Sequence, residues 1–394
     1  MSITLQRPNQ WQGLTALPPL SLYIHFPWCV RKCPYCDFNS HESKNGFDEA
    51  GYIQALIADL EHSLPLIWGR PIHTIFMGGG TPSLFSAEAM DTLIAAIRAR
   101  VKLLPDAEIT LEANPGTVEA DRFRGYRAAG INRVSLGIQS FNAGHLQAIG
   151  RIHDADEAKR AAALAAEIFD TFNLDLMFAL PNQTIEEALA DVETALGFGP
   201  AHLSCYHLTL EPNTLFHRYP PPIPDEDIAA EMHDQIEARL QQAGFDHYET
   251  SAYARRGHRA RHNLNYWAFG DYLGIGAGAH GKLSFPDRII RQMRHKQPTA
   301  YLSAIAQGNA VRTEELVTPD QLPFEFMLNA MRLTEGVPVE FFTERTGLPL
   351  AAMSRPLNEA NRLGLLDADP SKLAPSGLGR RYQNRLFELF LPEE

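Results

Sequence analysis

The chain has 394 residues, 45% of them hydrophobic and 21% charged, which supplies apolar cores for about two domains. Its 35 Lys and Arg against 47 Asp and Glu leave a formal charge of −12, and this disfavours nucleic acid as a partner because phosphate contacts need a concentrated basic surface. The most apolar stretch, Leu174 to Leu180, contains Asp175 and ends at Pro181, short of the ~18 apolar residues of a membrane span; the opening Met1-Ser-Ile-Thr-Leu-Gln-Arg-Pro has no secretory signal pattern, so a cytoplasmic protein is expected.

Residues 1–19 read as an N-terminal extension. Strand patterns follow at 21–26, 73–77, 108–112, 133–138, 172–178 and 202–208, and helical patterns at 47–63, 86–103, 119–129, 154–169 and 184–197. Gly130, Gly199 and Gly244 stand where helices stop. This alternation predicts an α/β fold over 20–245 whose parallel sheet curls into a barrel. Reactive groups in such barrels collect on loops at the carboxyl ends of strands. Tyr219-Pro-Pro-Pro-Ile-Pro224 reads as a stiff connector after the sixth strand.

Residues 246–309 extend the barrel and carry basic clusters at 255–261 and 288–296, either solvated faces or a receiver for an acidic ligand. Tyr272-Leu-Gly-Ile-Gly-Ala-Gly-Ala-His280 contains G-x-G-x-G without a following helix and acidic ribose partner; it reads as a tightly packed loop near the ligand site. Residues 310–394 read as a small, mainly helical, winged-helix-like domain. Its acidic, apolar end from Leu386 to Glu394 favours packing or a protein contact over DNA.

Three of the four cysteines, Cys29, Cys33 and Cys36, form C-x3-C-x2-C directly after the first strand. Structural zinc wants four ligands, and the remaining Cys205 lies far along the chain. Three thiolates instead suit a four-iron cluster with one iron left open. Further loops at strand ends add Met77-Gly-Gly-Gly-Thr-Pro82, Glu112, Gln139, Arg151 and Asp175. Each has an ordinary alternative: Glu112 as a turn cap, Gln139 as a partner for a neighbouring strand, Asp175 paired with Arg151. Their recurrence at successive strand ends beside the cysteine loop points to one pocket.

The cysteine spacing, joined to Gly78-Gly-Gly-Thr-Pro82, resembles the radical S-adenosylmethionine proteins, and more narrowly the oxygen-independent coproporphyrinogen III oxidase-like family, from about Leu20 to the C-terminus. The resemblance implies a partial (β/α)6 barrel with a [4Fe-4S] cluster held by Cys29, Cys33 and Cys36. It also implies S-adenosylmethionine on the open iron, cleaved by one electron to a 5′-deoxyadenosyl radical. Tyr23, Tyr35, Cys36, Asp37, Gly79, Gly80, Thr81, Glu112, Gln139, Arg151 and Asp175 are the S-adenosylmethionine residues it implies.

Two departures stand out. Phe38 occupies the place of a further cysteine in the decarboxylating oxidase, and only a short segment precedes the first strand. In compensation, His262-Asn-Leu-Asn-Tyr-Trp267 resembles the H-N-x-x-Y-W motif of the heme-chaperone branch. On that resemblance His262, Tyr266 and Trp267 bind heme. Apart from it, His280 is a second conceivable iron ligand, and the arginine-rich flanks at 255–261 and 288–294 are candidate partners of heme propionates. The alternative is that Asn263 and Asn265 make a turn beside two core aromatics with no ligand.

The implied partners are heme, acceptor hemoproteins such as membrane respiratory subunits, a one-electron donor and a second copy in a homodimer. Competing readings are a radical enzyme, either coproporphyrinogen III dehydrogenase or a methyltransferase of the same family, and a degenerate scaffold that acts through its partners.

Overall fold

The computed structural model describes residue 11 and residues 13–44 and 46–392; most of the expected N-terminal extension lies outside them. A 12-stranded sheet organises the chain. Its strands are β1 (Leu20–Phe26), β2 (Pro71–Gly79), β3 (Lys102–Ala113), β4 (Arg133–Gln139), β5 (Thr171–Phe178), β6 (His202–His207), β7 (Asp246–Glu249), β8 (Ala252–Ala254), β9 (Asp271–Ile275), β10 (His280–Phe285), β11 (Arg288–Arg294) and β12 (Val311–Leu316). They lie in the order β12-β11-β10-β9-β1-β2-β3-β4-β5-β6-β8-β7.

Strands β1 to β6 are parallel and neighbour one another in chain order. Crossovers of one hand that always step to the next position place their helices on one face, which curves the sheet into a partial barrel. Strand β9 adds to β1 in parallel, and antiparallel strands extend both edges.

Parallel strands covered on both faces ordinarily read as continuous apolar runs. Here they alternate. Leu22, Ile24 and Phe26 of β1 join Tyr52, Leu56 and Leu60 of the helix Glu49–Ser63 in the main core, while Ser21, Tyr23 and His25 fall between them on the other face. In β3 the intervening polar residues are Glu108, Thr110 and Glu112; in β5 they include Asn173 and Asp175. The barrel lumen is therefore polar, and strand polarity of period two is its sequence signature.

Three segments differ from the sequence-based expectation. The helix expected over 86–103 ends at Arg100, and Lys102 already belongs to β3, because Pro105 cannot continue a helix. Asn263 and Asn265 are not turn residues: Arg261–Trp267 is a helix. Its N-cap Ala260 offers no side-chain cap, and the carboxylate of Glu108 accepts the backbone N–H groups of Arg261 (3.0 Å) and His262 (3.1 Å) in its place.

Finally, Val311–Leu316 of the expected C-terminal domain is the outermost sheet strand, paired with β11. The helices after it share one apolar cluster with Tyr248, Phe269 and Ile289 of the sheet region. Among the described residues no helix is long and apolar enough to cross a membrane.

Candidate functional site

The site is built where β1 and β2 end. The two following loops are stitched together: Gly80 N–H donates to Phe26 O and Thr81 N–H to Trp28 O, both at 2.7 Å. Gly79 has φ +111°, and a Cβ there would lie 2.3 Å from the His25 ring. That ring is locked between the Tyr23 hydroxyl (2.8 Å to Nδ1) and Asn39 O (2.8 Å to Nε2). Burial lowers His25 to about 4, so the ring is uncharged at neutral pH. Replacing Gly79 by alanine combines a left-handed backbone with this clash, and a loss of about 1–3 kcal/mol is expected, read as a lowered melting temperature.

Behind the cysteine loop sits the G-x-G-x-G segment. Asn39 Nδ2 donates to Ala277 O at 3.0 Å, and Gly276, at φ +101°, leaves no room for a Cβ beside His25 O (2.4 Å). The glycines serve close packing, as the sequence suggests. His280 at the end of this segment is exposed.

The two loops and the ends of β3 to β6 enclose a cavity of about 660 Å³. Cys29, Cys33 and Cys36 are half-buried on its wall. Thr81 Oγ1 donates to Cys29 Sγ at 3.5 Å and Arg151 Nη1 to Cys33 Sγ at 3.7 Å. Burial pushes the Cys29 and Cys36 thiols up. All three thiols line the one cavity, and three thiolates on a short loop suit a multi-iron group with one iron left open.

Of the remaining expected residues, Tyr35, Asp37, Gly79, Gly80 and Thr81 line the cavity beside the thiols, and Glu112, Gln139, Arg151 and Asp175 line it from the strand ends. Glu112 Oε2 accepts the Gly79 N–H at 3.1 Å. Asp175 does not pair with Arg151. Its carboxylate accepts from Ser135 Oγ (3.1 Å) and Asn173 Nδ2 (2.7 Å), while Arg151 Nη2 donates to Gly137 O at 2.7 Å. Gln139 takes φ +68°, a conformation costly outside glycine that concentrates at functional sites.

Burial, followed by the proximity of Asp175, raises Glu112 to about 7; burial also raises Asp175 against the pull of its hydrogen bonds. Two half-buried carboxyl groups thus face the cavity, hydrogen-bonded but without an ion pair among the described residues, and only the more distant Arg133 charge acts on Asp175. Such a pair is arranged to receive a cation.

Tyr23, His262, Tyr266 and Trp267 do not line this cavity. Tyr23 sits one layer back, its hydroxyl on His25 Nδ1 at 2.8 Å. His262 is 4% exposed, stacks on Phe76 at 4.4 Å, and its Nδ1 lies 2.6 Å from Glu108 Oε1. Burial lowers its pKa, so the neutral ring donates Nδ1–H to the carboxylate. Tyr266 packs edge-on to Tyr272 at 5.0 Å.

The basic flanks are largely committed within the fold. Arg259 pairs with Glu335, Arg261 with Asp106, Arg288 with Asp287, Arg291 with Glu325 and Arg294 with Asp59. Cavity residues that sequence reasoning missed include Ser135, Tyr206 and Arg332. The lumen-facing alternation could have indicated Ser135 and Tyr206; nothing local marks Arg332.

Residues 23–195 match the Radical SAM superfamily and residues 317–382 the HemN C-terminal domain. The chain is 50% identical over 382 residues to the heme chaperone HemW of Escherichia coli, covering 96% of this chain and 100% of that protein. It is 50% identical over 384 residues to the heme chaperone HemW of Haemophilus influenzae (96% and 99%), and 36% identical over 386 residues to that of Mycobacterium tuberculosis (95% and 96%). Among solved structures, coproporphyrinogen III oxidase (HemN) from Escherichia coli superposes with a TM-score of 0.81 at 24% identity, covering 95% of this chain and 90% of that one. This last likeness shows the fold alone.

Proposed function

The chain belongs to the HemW family on a radical SAM scaffold, and from that premise we propose that it binds heme and passes it to acceptor hemoproteins. In this reading the scaffold carries a [4Fe-4S] cluster and S-adenosylmethionine. The observation that carries the cofactor part is the cavity with three thiols on its wall and, facing them, the carboxyl pair Glu112 and Asp175. Cys29, Cys33 and Cys36 hold the cluster; Gly79, Gly80 and Thr81 receive the methionine end; Glu112 and Asp175 face its cationic groups and ribose hydroxyls. When bound, these groups supply one-electron reductive cleavage of a sulfonium. The chain's own part is to hold and shield them, with Arg151 anchored between Gly137 O and Cys33 Sγ.

The pH dependence follows from Glu112. Its pKa, about 7 against an ordinary 4.5, means that the folded protein holds a proton that the unfolded chain releases. The stability that this group contributes is therefore lost as pH rises through this window, whereas a cationic ligand gains a charged partner. S-adenosylmethionine affinity is expected to rise about tenfold between about pH 6 and pH 8, and Glu112→Gln is expected to flatten the profile. Calorimetric titration across that range checks it, and an affinity independent of pH in the native protein rejects it.

For heme, support comes from the helix Arg261–Trp267. Glu108 fixes His262 with the proton on Nδ1 and leaves Nε2 as the free acceptor, the arrangement usual for metal-ligating histidines. At 4% exposure, that nitrogen meets an iron only when neighbouring side chains give way. The test is anaerobic titration with heme. Stoichiometric uptake is expected, weakened by His262→Ala and retained when the cysteines are replaced. Catalytic conversion of coproporphyrinogen III by the same preparation overturns the chaperone reading in favour of the oxidase. Acceptors such as membrane respiratory subunits, a one-electron donor and a homodimeric state remain part of this proposal.

A further inference from the structure

The committed arginine flanks leave open what neutralises the acidic groups of a tetrapyrrole. Arg31 and Arg151, both on the cavity wall, are also engaged: Arg31 Nη2 donates to Gly150 O at 2.7 Å and Arg151 Nη2 to Gly137 O at 2.7 Å. Arg332 differs. It comes from the segment that follows the helix Leu322–Ala330, and it lines the same cavity.

Its guanidinium lies 4.3 Å from the centroid of the Trp267 ring. Its Nε is buried without a hydrogen-bond partner, and its Nη2 makes only a long ion pair, at 4.0 Å, with the buried Glu249. The backbone beneath it is held firmly: Thr250 N–H donates to Arg332 O at 2.9 Å, and Gln383 Nε2 donates to Met331 O at 2.9 Å. A planar donor fork, pre-positioned by stacking and not yet hydrogen-bonded, matches a carboxylate.

Resting on the heme reading above, we propose that Arg332, stacked on Trp267 behind the wall, binds a carboxylate of the cavity's ligand. In this arrangement Trp267 holds the guanidinium flat, and Arg332 fixes the ligand's acidic edge relative to the helix Arg261–Trp267. The C-terminal domain thereby contributes directly to recognition. Two carboxylates fit this chemistry: a heme propionate and the amino-acid carboxylate of S-adenosylmethionine.

The experiment titrates native protein, Arg332→Gln and Arg332→Lys with heme, with heme dimethyl ester and with S-adenosylmethionine, and records each variant's melting curve. A propionate partner predicts that Arg332→Gln weakens heme by about tenfold or more, with partial recovery in Arg332→Lys. Binding of the diester and of S-adenosylmethionine is then unchanged. Loss of S-adenosylmethionine affinity alone supports the proposal with the cofactor as the carboxylate source. Equal weakening of heme and its diester reduces Arg332 to packing on Trp267 and overturns the proposal, as does native affinity for all three ligands in folded Arg332→Gln. Native protein that takes up no heme defeats the chaperone reading, and the S-adenosylmethionine arm then decides the role of Arg332 by itself.

Discussion

Simultaneous replacement of Cys29, Cys33 and Cys36 by alanine is expected to abolish iron–sulfur incorporation and every activity that depends on reductive cleavage of S-adenosylmethionine. The expectation is a complete loss because no substitute ligands stand by: Cys205 is buried in the main core, and among the described residues no group of three metal-ligating side chains gathers elsewhere to take over. The fold should survive, since the thiols are only half-buried and the loop is anchored by backbone bonds such as those from Gly80 and Thr81. Iron and sulfide analysis after anaerobic reconstitution, with assay of 5′-deoxyadenosine, is the measurement. A residual cluster of native stoichiometry in the triple variant removes the assignment.

Asp59→Ala is expected to carry the largest effect on stability. Asp59 and Arg294 are fully buried and bonded at 3.0 Å. The same carboxylate accepts the Gly276 N–H and the Tyr301 hydroxyl, each at 3.0 Å. Removing one member of a buried pair leaves the other charge uncompensated and costs about 3–5 kcal/mol. Gly276 also packs against His25 O, so the loss should extend to the cysteine loop and lower cluster retention. Thermal denaturation of the apoprotein measures the first effect, and iron content after reconstitution the second. Asp59→Leu with Arg294→Met should recover most of the stability, because apolar replacements of both partners leave no stranded charge. An unchanged melting temperature in Asp59→Ala alone refutes the account.

The chaperone reading gives the polar lumen a twofold use. Near the carboxyl ends of the strands, Glu112 and Asp175 face the cofactor cavity. One layer deeper, Asn173 links Asp175 to His202, whose Nε2 lies 2.8 Å from the Tyr248 hydroxyl; Asn263 donates to that hydroxyl at 3.3 Å. Hydrogen bonds therefore run continuously from the cofactor cavity to the helix Arg261–Trp267.

Much of the site was legible because its determinants are local. Three cysteines on one short loop, three consecutive glycines, and single polar residues at the ends of apolar strands declare themselves within a few positions. The order of strand and helix likewise decides the parallel sheet, since a crossover of one hand leaves few other topologies. Sequence alone thus determined the parallel α/β sheet and pointed to the three cysteines and the loops around them, which the fold brings to one cavity.

Tertiary structure decided whatever depends on distant partners. The segment from Arg261 to Trp267 looks like a turn, and it is a helix because Glu108, 154 positions from His262, caps it from another strand. The basic flank at 288–294 looks free, yet Arg294 is consumed by Asp59, 235 positions away. Arg332 carries no local signal, and only the packing of the C-terminal segment over Trp267 brings it to the cavity. Charges and open N–H groups are indifferent to where along the chain their partners lie. Burial makes leaving them unpaired expensive, so the fold selects partners that no local pattern encodes.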